Sequence, residues 1–319
     1  MKISIRKIGL ASALVVFASG LMFGFDFQES AGGIATALGG VVLDRDLGGL
    51  NALYNPTLIA ATLTNALSLQ ADVCGAYQPY GVDGINVCSA GVTYARSLGL
   101  FNAGAGLGFQ SELAQGGLNT IRTYLCLSGD FASFSRLSDL LGFVDNVGAS
   151  LNIKTVTYYL DANMTGTGIT PTLVNFDLDA DVTASFINRM LEVGFMGSDL
   201  LAGEKGFTGA SLSNQRGLIL HGMVQPIHDL KFIAAYNFGG SSEVIDNDNF
   251  VGSATAFANS YLGMEASFFD SIFVRVGLNE GRLTGGLGID AAGFTLNIGV
   301  LPISSLSLYY QIDLNYKFF

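Results

Sequence analysis

His221 and His228 are the only imidazoles in the chain, and neither stands near a serine in a nucleophile-elbow pattern. Nucleophilic or acid–base catalysis needs a base held by a third group. Nothing in the spacing supplies one, so no catalytic residue and no enzyme activity are expected. Both histidines read as strand-end or turn residues near Pro226. Three cysteines, Cys74, Cys88 and Cys126, leave at least one thiol unpaired in a monomer. Cys74 and Cys88 flank the turn-rich run Pro79-Tyr80-Gly81-Val82-Asp83-Gly84, and a hairpin centred on Gly81 sets the two opposite one another. In that register a bridge and a pair of reduced packers are both open readings. No Cys or His pair has close ligand spacing, so neither a metal nor a cofactor is expected.

The remaining charged candidates sit inside alternating segments. Phe176, Leu178, Ala180, Val182, Ala184 and Phe186 interleave with Asp177, Asp179, Asp181, Thr183 and Ser185. Arg122 and Lys154 fall on the polar face of their own segments, and Glu265 and Arg275 are equidistant from a short turn near Asp270. Period-two alternation is the pattern of a strand with one apolar and one polar face. If the apolar face meets lipid, these charges must turn inward, because an ionised side chain on the lipid face costs several kcal/mol. Inside, they either tune passage through a polar lumen or brace a filled barrel as ion pairs. The turn near Asp270 makes Glu265 and Arg275 neighbours on adjacent strands.

Composition narrows the elements that hold these residues. The 319 residues are 50% hydrophobic and only 13% charged, with a mean hydropathy of +0.45. Soluble domains carry about a quarter charged residues. Disorder is excluded by the apolar content. A helical membrane bundle is excluded because only the N-terminus offers a run of about 18 apolar residues. Forty-two glycines against five prolines suit twisted sheet. A formal net charge of −11 has the wrong sign for phosphate backbones, so no nucleic-acid partner is expected.

Lys2, Arg6 and Lys7, the apolar stretch 8–17, and then Ala18, Ser19 and Gly20 have the layout of a secretory signal peptide. Residues 1–24 are assigned to it, with cleavage near Gly20 or Gly24. From residue 67 onward the alternation predicts about 14 strands, near 67–77, 85–95, 98–110, 118–129, 146–160, 175–186, 190–198, 215–226, 229–239, 254–268, 271–279, 282–290, 293–301 and 305–319. Longer polar connections such as 161–174, 199–214 and 240–253 alternate with very short ones, the pattern of an outer-membrane barrel. The connection 130–145 departs from it: Phe134, Leu137, Leu140, Leu141 and Val144 have helical spacing. The fold expected is therefore all-β, a closed antiparallel transmembrane barrel spanning 67–319, surrounded by membrane lipid.

Residues 32–60, running Gly-Gly-Ile-Ala-Thr-Ala-Leu-Gly-Gly and ending Ala52-Leu53-Tyr54-Asn55-Pro56-Thr57-Leu58-Ile59-Ala60, resemble the N-terminal segment of FadL-type outer-membrane proteins and their PorV-like relatives. There an Asn-Pro-Ala turn follows a small-residue-rich stretch; here Thr57 replaces the alanine. Tyr261-Leu262-Gly263-Met264-Glu265, Val274-Arg275-Val276-Gly277 and Leu283-Thr284-Gly285-Gly286-Leu287-Gly288 are similar to the family's last strands, and residues 148–154 to its middle. The resemblance implies that residues 25–66 form a hatch in the lumen, with Leu53, Tyr54, Asn55 and Pro56 at the ligand pathway. It implies bacterial outer-membrane localisation and passive uptake of hydrophobic small molecules such as fatty acids. The PorV-like relatives imply the alternative, a non-transporting barrel that scaffolds a secretion or surface complex.

Gly104, Gly106 and Gly108 concentrate in the third strand. By the same resemblance a kink there opens a lateral exit; on residue type alone, glycines equally admit close packing of the hatch against the wall. The chain end resembles the signal read by the barrel-assembly machinery. Ile312, Leu314, Tyr316 and Phe318 carry its alternation, with Phe319 one residue beyond.

Overall fold

The computed structural model describes residues 37–38, 55, 57–61, 66–77, 85–98, 101–114, 118–131, 144–160, 172–187, 189–198, 200–201, 204–207, 210–213, 217–238, 260–279, 281–304 and 307–318. The expected signal peptide, Leu53, Tyr54, Pro56 and nearly all of the expected helix within 130–145 lie outside the described residues.

A five-residue helix, α1 (Thr57–Ala61), precedes the strands. The first half of the sheet comprises β1 (Ala66–Tyr77), β2 (Ile85–Ser97), β3 (Asn102–Ala114), β4 (Leu118–Asp130), β5 (Val144–Leu160), β6 (Thr172–Phe186) and β7 (Leu191–Ser198). A small separate hairpin follows, β8 (Glu204–Phe207) and β9 (Ala210–Ser213). The second half comprises β10 (Gly217–Ile227), β11 (Leu230–Asn237), β12 (Ser260–Phe268), β13 (Ile272–Asn279), β14 (Arg282–Ala291), β15 (Phe294–Ser304) and β16 (Ser307–Phe318).

Each wall strand pairs antiparallel with its neighbours, and β1 is bonded to β2 on one edge and to β16 on the other, from Leu67↔Phe318 to Tyr77↔Leu308. Fourteen strands thus form a closed barrel without a free edge. Closure matters because unpaired backbone groups are intolerable in hydrocarbon.

The pleat sorts the side chains into two environments. On β6, Asn175, Asp177, Asp179, Asp181, Thr183 and Ser185 are buried, while Val174, Phe176 and Val182 are exposed. On β15 and β16, Thr295, Asn297, Gln311, Asp313 and Asn315 are buried and Leu296, Ile298, Ile312 and Leu314 exposed. The protein is polar within and apolar without, the reverse of a soluble domain. Such a surface is stable against lipid rather than water.

The short turns hold unusual backbone. Phe269 and Asp270 both adopt positive φ (56° and 55°), and Ser271 N–H donates to the Phe268 carbonyl at 3.2 Å. This is the mirror-image turn that matches strand twist. The β14–β15 turn has the same hand at Ala292 and Gly293 (54° and 84°), and only the glycine adopts it without a steric cost.

Three boundary expectations change. The third strand begins at Asn102 rather than 98, and Leu98 N–H donates instead to the Phe101 carbonyl at 2.9 Å. The connection 199–214 contains the β8–β9 hairpin, whose four-residue strands are too short to register as alternation. The first hairpin pairs Val73, not Cys74, with Cys88. A one-residue slip flips faces, so Cys74 and Cys88 occupy positions on opposite faces and are not a cross-strand pair. Cys126 is a free, buried thiol.

Candidate functional site in the barrel lumen

Asp181 is the centre of the first lumenal cluster. It stands on the inward face of β6 at 3% exposure, where its Oδ2 accepts from the Thr57 hydroxyl at 2.7 Å and the Thr183 hydroxyl at 3.0 Å. Its Oδ1 lies 2.8 Å from His221 Nε2. His221 starts on β10, with β7 in between, and reaches Asp181 only because Gly194 occupies the intervening position. A Cβ there would lie 2.1 Å from the imidazole Cε1. His221 is therefore a buried mid-strand residue, not the strand-end or turn residue expected from its proximity to Pro226. His228 does lie in the β10–β11 turn, where it is exposed.

Thr57 opens α1, and Leu58 N–H donates to the Asn55 carbonyl at 3.2 Å. Asn55, Thr57, Leu58, Ile59 and Ala60 are all buried. Thr57 Oγ1 also lies 2.8 Å from Ser150 Oγ on β5. The helix fits against the wall over two glycines. A Cβ on Gly104 would meet Ser128 Oγ at 2.5 Å and Ala60 N and Ile59 Cγ2 at 2.8 Å, and one on Gly148 would meet Thr57 Cγ2 at 2.5 Å. Ile59 packs with Ala95 and Cys126.

Gly104, Gly106 and Gly108 share the inward face of β3, and β3 pairs with β2 and β4 without a register shift. In this conformation the stretch is regular wall, and Gly104 is covered by α1. A cavity of about 10 Å3, room for one water, lies beside Thr57 and Leu58 against Asn146, Ser185 and Glu192.

Farther up the same strands, Lys154 Nζ lies 2.8 Å from Asp179 Oδ1, and Asn152 Nδ2 donates to the other oxygen at 3.4 Å. Asp177 Oδ1 accepts the backbone N–H groups of Leu178 at 2.7 Å and Leu201 at 3.1 Å. It anchors the chain leaving β7. Arg122 is half-buried on the inward face of β4, with Gln110 and Val156 opposite.

The second cluster spans β11 to β16. Glu265 and Arg275 are directly opposite in register, with Arg275 Nε donating to Glu265 Oε2 at 2.7 Å; both are 2% exposed. Lys231 Nζ reaches the other Glu265 oxygen at 3.0 Å. Arg275 Nη1 continues to Asn297 Oδ1 at 2.8 Å, and Asn297 Nδ2 donates to Asp313 Oδ1 at 2.7 Å. Gly288 leaves space for this crossing, since a Cβ there would meet Arg275 Nη1 at 2.5 Å. Residues 37–38 of the N-terminal segment pack nearby. Leu38 belongs to a buried cluster with Met223, Ile233 and Tyr261, and the Thr284 hydroxyl donates to the Ala37 carbonyl at 2.9 Å.

Alternation placed Arg122, Lys154, Asp177, Asp179, Asp181, Glu265 and Arg275 on the inner side, where they stand. It did not single out Thr57, Ser150, His221, Gly148, Gly194 or Gly288. Their signal is conditional: a glycine on an inward position matters only once its neighbour across the sheet is known.

A lipid-facing barrel with chain packed into its polar interior defines the class, a FadL-like outer-membrane barrel fold. Particular proteins share it. The toluene transporter TbuX of Ralstonia pickettii superposes with a TM-score of 0.59 at 14% identity, over 91% of this chain and 97% of its own. The toluene transporter TodX of Pseudomonas putida gives 0.56 at 14% identity, over 93% and 98%. The monoaromatic hydrocarbon channel CymD gives 0.54 at 12%, over 90% and 96%. No family model and no curated protein matches the sequence.

Proposed function

We propose that the protein is an outer-membrane channel for passive uptake of small hydrophobic molecules, in which residues 25–66 form a hatch within the lumen. The observation that carries this reading is the placement of α1: it is buried against the inner wall and held by one hydroxyl on Asp181 and one apolar contact patch. Three barrels of the same fold named for toluene or monoaromatic hydrocarbon transport support the substrate class, which here extends to acyl chains as a second candidate. Moving α1 uncovers Gly104, and a lateral exit along Gly104, Gly106 and Gly108 is part of the proposal.

The alternative, a barrel that scaffolds a secretion or surface complex, is favoured by the polar interior, whose described cavity next to α1 has room for no more than about one water. Vesicles reconstituted with the full mature chain separate the two. Uptake of labelled toluene or labelled oleate above empty vesicles, changed by Asn55→Ala with Pro56→Ala while the barrel stays folded, supports the channel. A folded barrel that takes up neither compound leaves the scaffold.

A further inference from the structure

We propose that His228, Asp229 and Asp270 form a binding site for a borderline transition-metal cation of the Zn2+ type at the short-turn rim. The three residues come from two turns, β10–β11 and β12–β13, so linear spacing gives no hint of them. One ligand atom from each lies within 4.8 Å of the others. His228 Nδ1 is 3.1 Å from Asp229 Oδ1 and 3.6 Å from Asp270 Oδ1. Two ligands about 2.1 Å from one zinc ion, set at tetrahedral or right angles, are about 3.0–3.4 Å apart. The two spacings from the imidazole match that range to within a few tenths of an ångström, and the two carboxylates, within 4.8 Å of one another, would draw together on the ion.

Contacts to the backbone hold the turns that carry the ligands. Gln225 Nε2 donates to the His228 carbonyl at 2.9 Å, and Ser267 N–H donates to the Asp229 carbonyl at 3.0 Å, which ties the β10–β11 turn to β12. Asp270 is presented by the mirror-image turn at φ 55°. One imidazole and two carboxylates form a mixed nitrogen and oxygen set, which suits zinc better than calcium or magnesium, both of which prefer oxygen alone. Three protein ligands leave the remaining positions to water. The bound ion would clasp two neighbouring turns.

The test is calorimetric titration of the full-length barrel in detergent with Zn2+, Ca2+ and Mg2+, each added alone. The expected result is one Zn2+ per chain, bound at least tenfold more tightly than Ca2+ or Mg2+, and weakened at least tenfold by His228→Gln and by Asp270→Asn. Asparagine tolerates positive φ, so Asp270→Asn keeps the turn, and heat-modifiable electrophoretic mobility checks that each variant is folded. Zn2+ should also raise the unfolding midpoint of the native chain and not that of the variants. Absence of Zn2+ binding, binding that survives both substitutions, or equal affinity for Ca2+ would overturn the site and leave the three side chains as a simple surface ion-pair group.

Discussion

His221 and Arg275 make the same kind of reach. Each leaves its strand, passes over a glycine on the next one (Gly194 or Gly288) and meets a polar group two strands away, Asp181 or Asn297. The ends of the two chains of contacts differ. Arg275 sits between Glu265 and Asn297, and Asn297 passes the contact to Asp313, so every partner is barrel wall. Asp181 instead offers its second oxygen to Thr57, on a helix that is not part of the sheet. The first arrangement fastens wall to wall. The second fastens wall to an insert, and a fastening of that kind can be released without opening the barrel.

Arg275→Ala should give the largest effect. It leaves Glu265 buried with Lys231 alone, and breaking a buried ion pair costs about 3–5 kcal/mol; the second cation puts the expectation near the lower end, about 3 kcal/mol. Urea unfolding in micelles measures it, with uptake by the surviving folded fraction unchanged. Asp181→Asn should cost less, about 1.5–3 kcal/mol for hydrogen bonds to a charged group, and should show mainly as faster limited proteolysis of residues 25–66. If instead Asp181→Asn unfolds the barrel as readily as Arg275→Ala, the distinction between the clusters fails.

Gly194→Ala and Gly288→Ala sharpen the same contrast at about 1–3 kcal/mol, the range for overpacking. The former should mimic Asp181→Asn by displacing the imidazole, and the latter should mimic Arg275→Ala. Gly104→Ala should expose α1 to protease with little change in the wall. The smallest effect is expected at the first hairpin. Because Cys88 pairs with Val73, oxidation should form no Cys74–Cys88 bridge, and electrophoretic mobility of the monomer should be the same with and without reductant.

The barrel was legible in the sequence to within a few residues, because a strand with lipid on one side and polar lumen on the other alternates without interruption, as in 172–186 and 307–318. The Glu265–Arg275 pair was legible for the same reason, since the short turn between them sets the register. Longer connections carry no such ruler. The hairpin centred on Gly81 was wrong by one residue because seven loop residues, 78–84, allow more than one closure. The Asp181 cluster was only half legible. Alternation gives the side of the wall on which a residue stands, but not that β7 follows β6 with a glycine level with Thr183 and His221.

The seam between β1 and β16 has a consequence for how the chain reaches its native state. Leu67 and Phe318 are paired although nearly the whole wall separates them in sequence. Such distant pairing is the slow part of folding, since loop-closure entropy must be overcome before the contact returns anything. Until the last strand is delivered, the edge of β1 is an open template for any other strand. A wall without β16 would therefore present two raw edges at once, those of β1 and β15, so a single strand decides whether the sheet is a barrel or an open template.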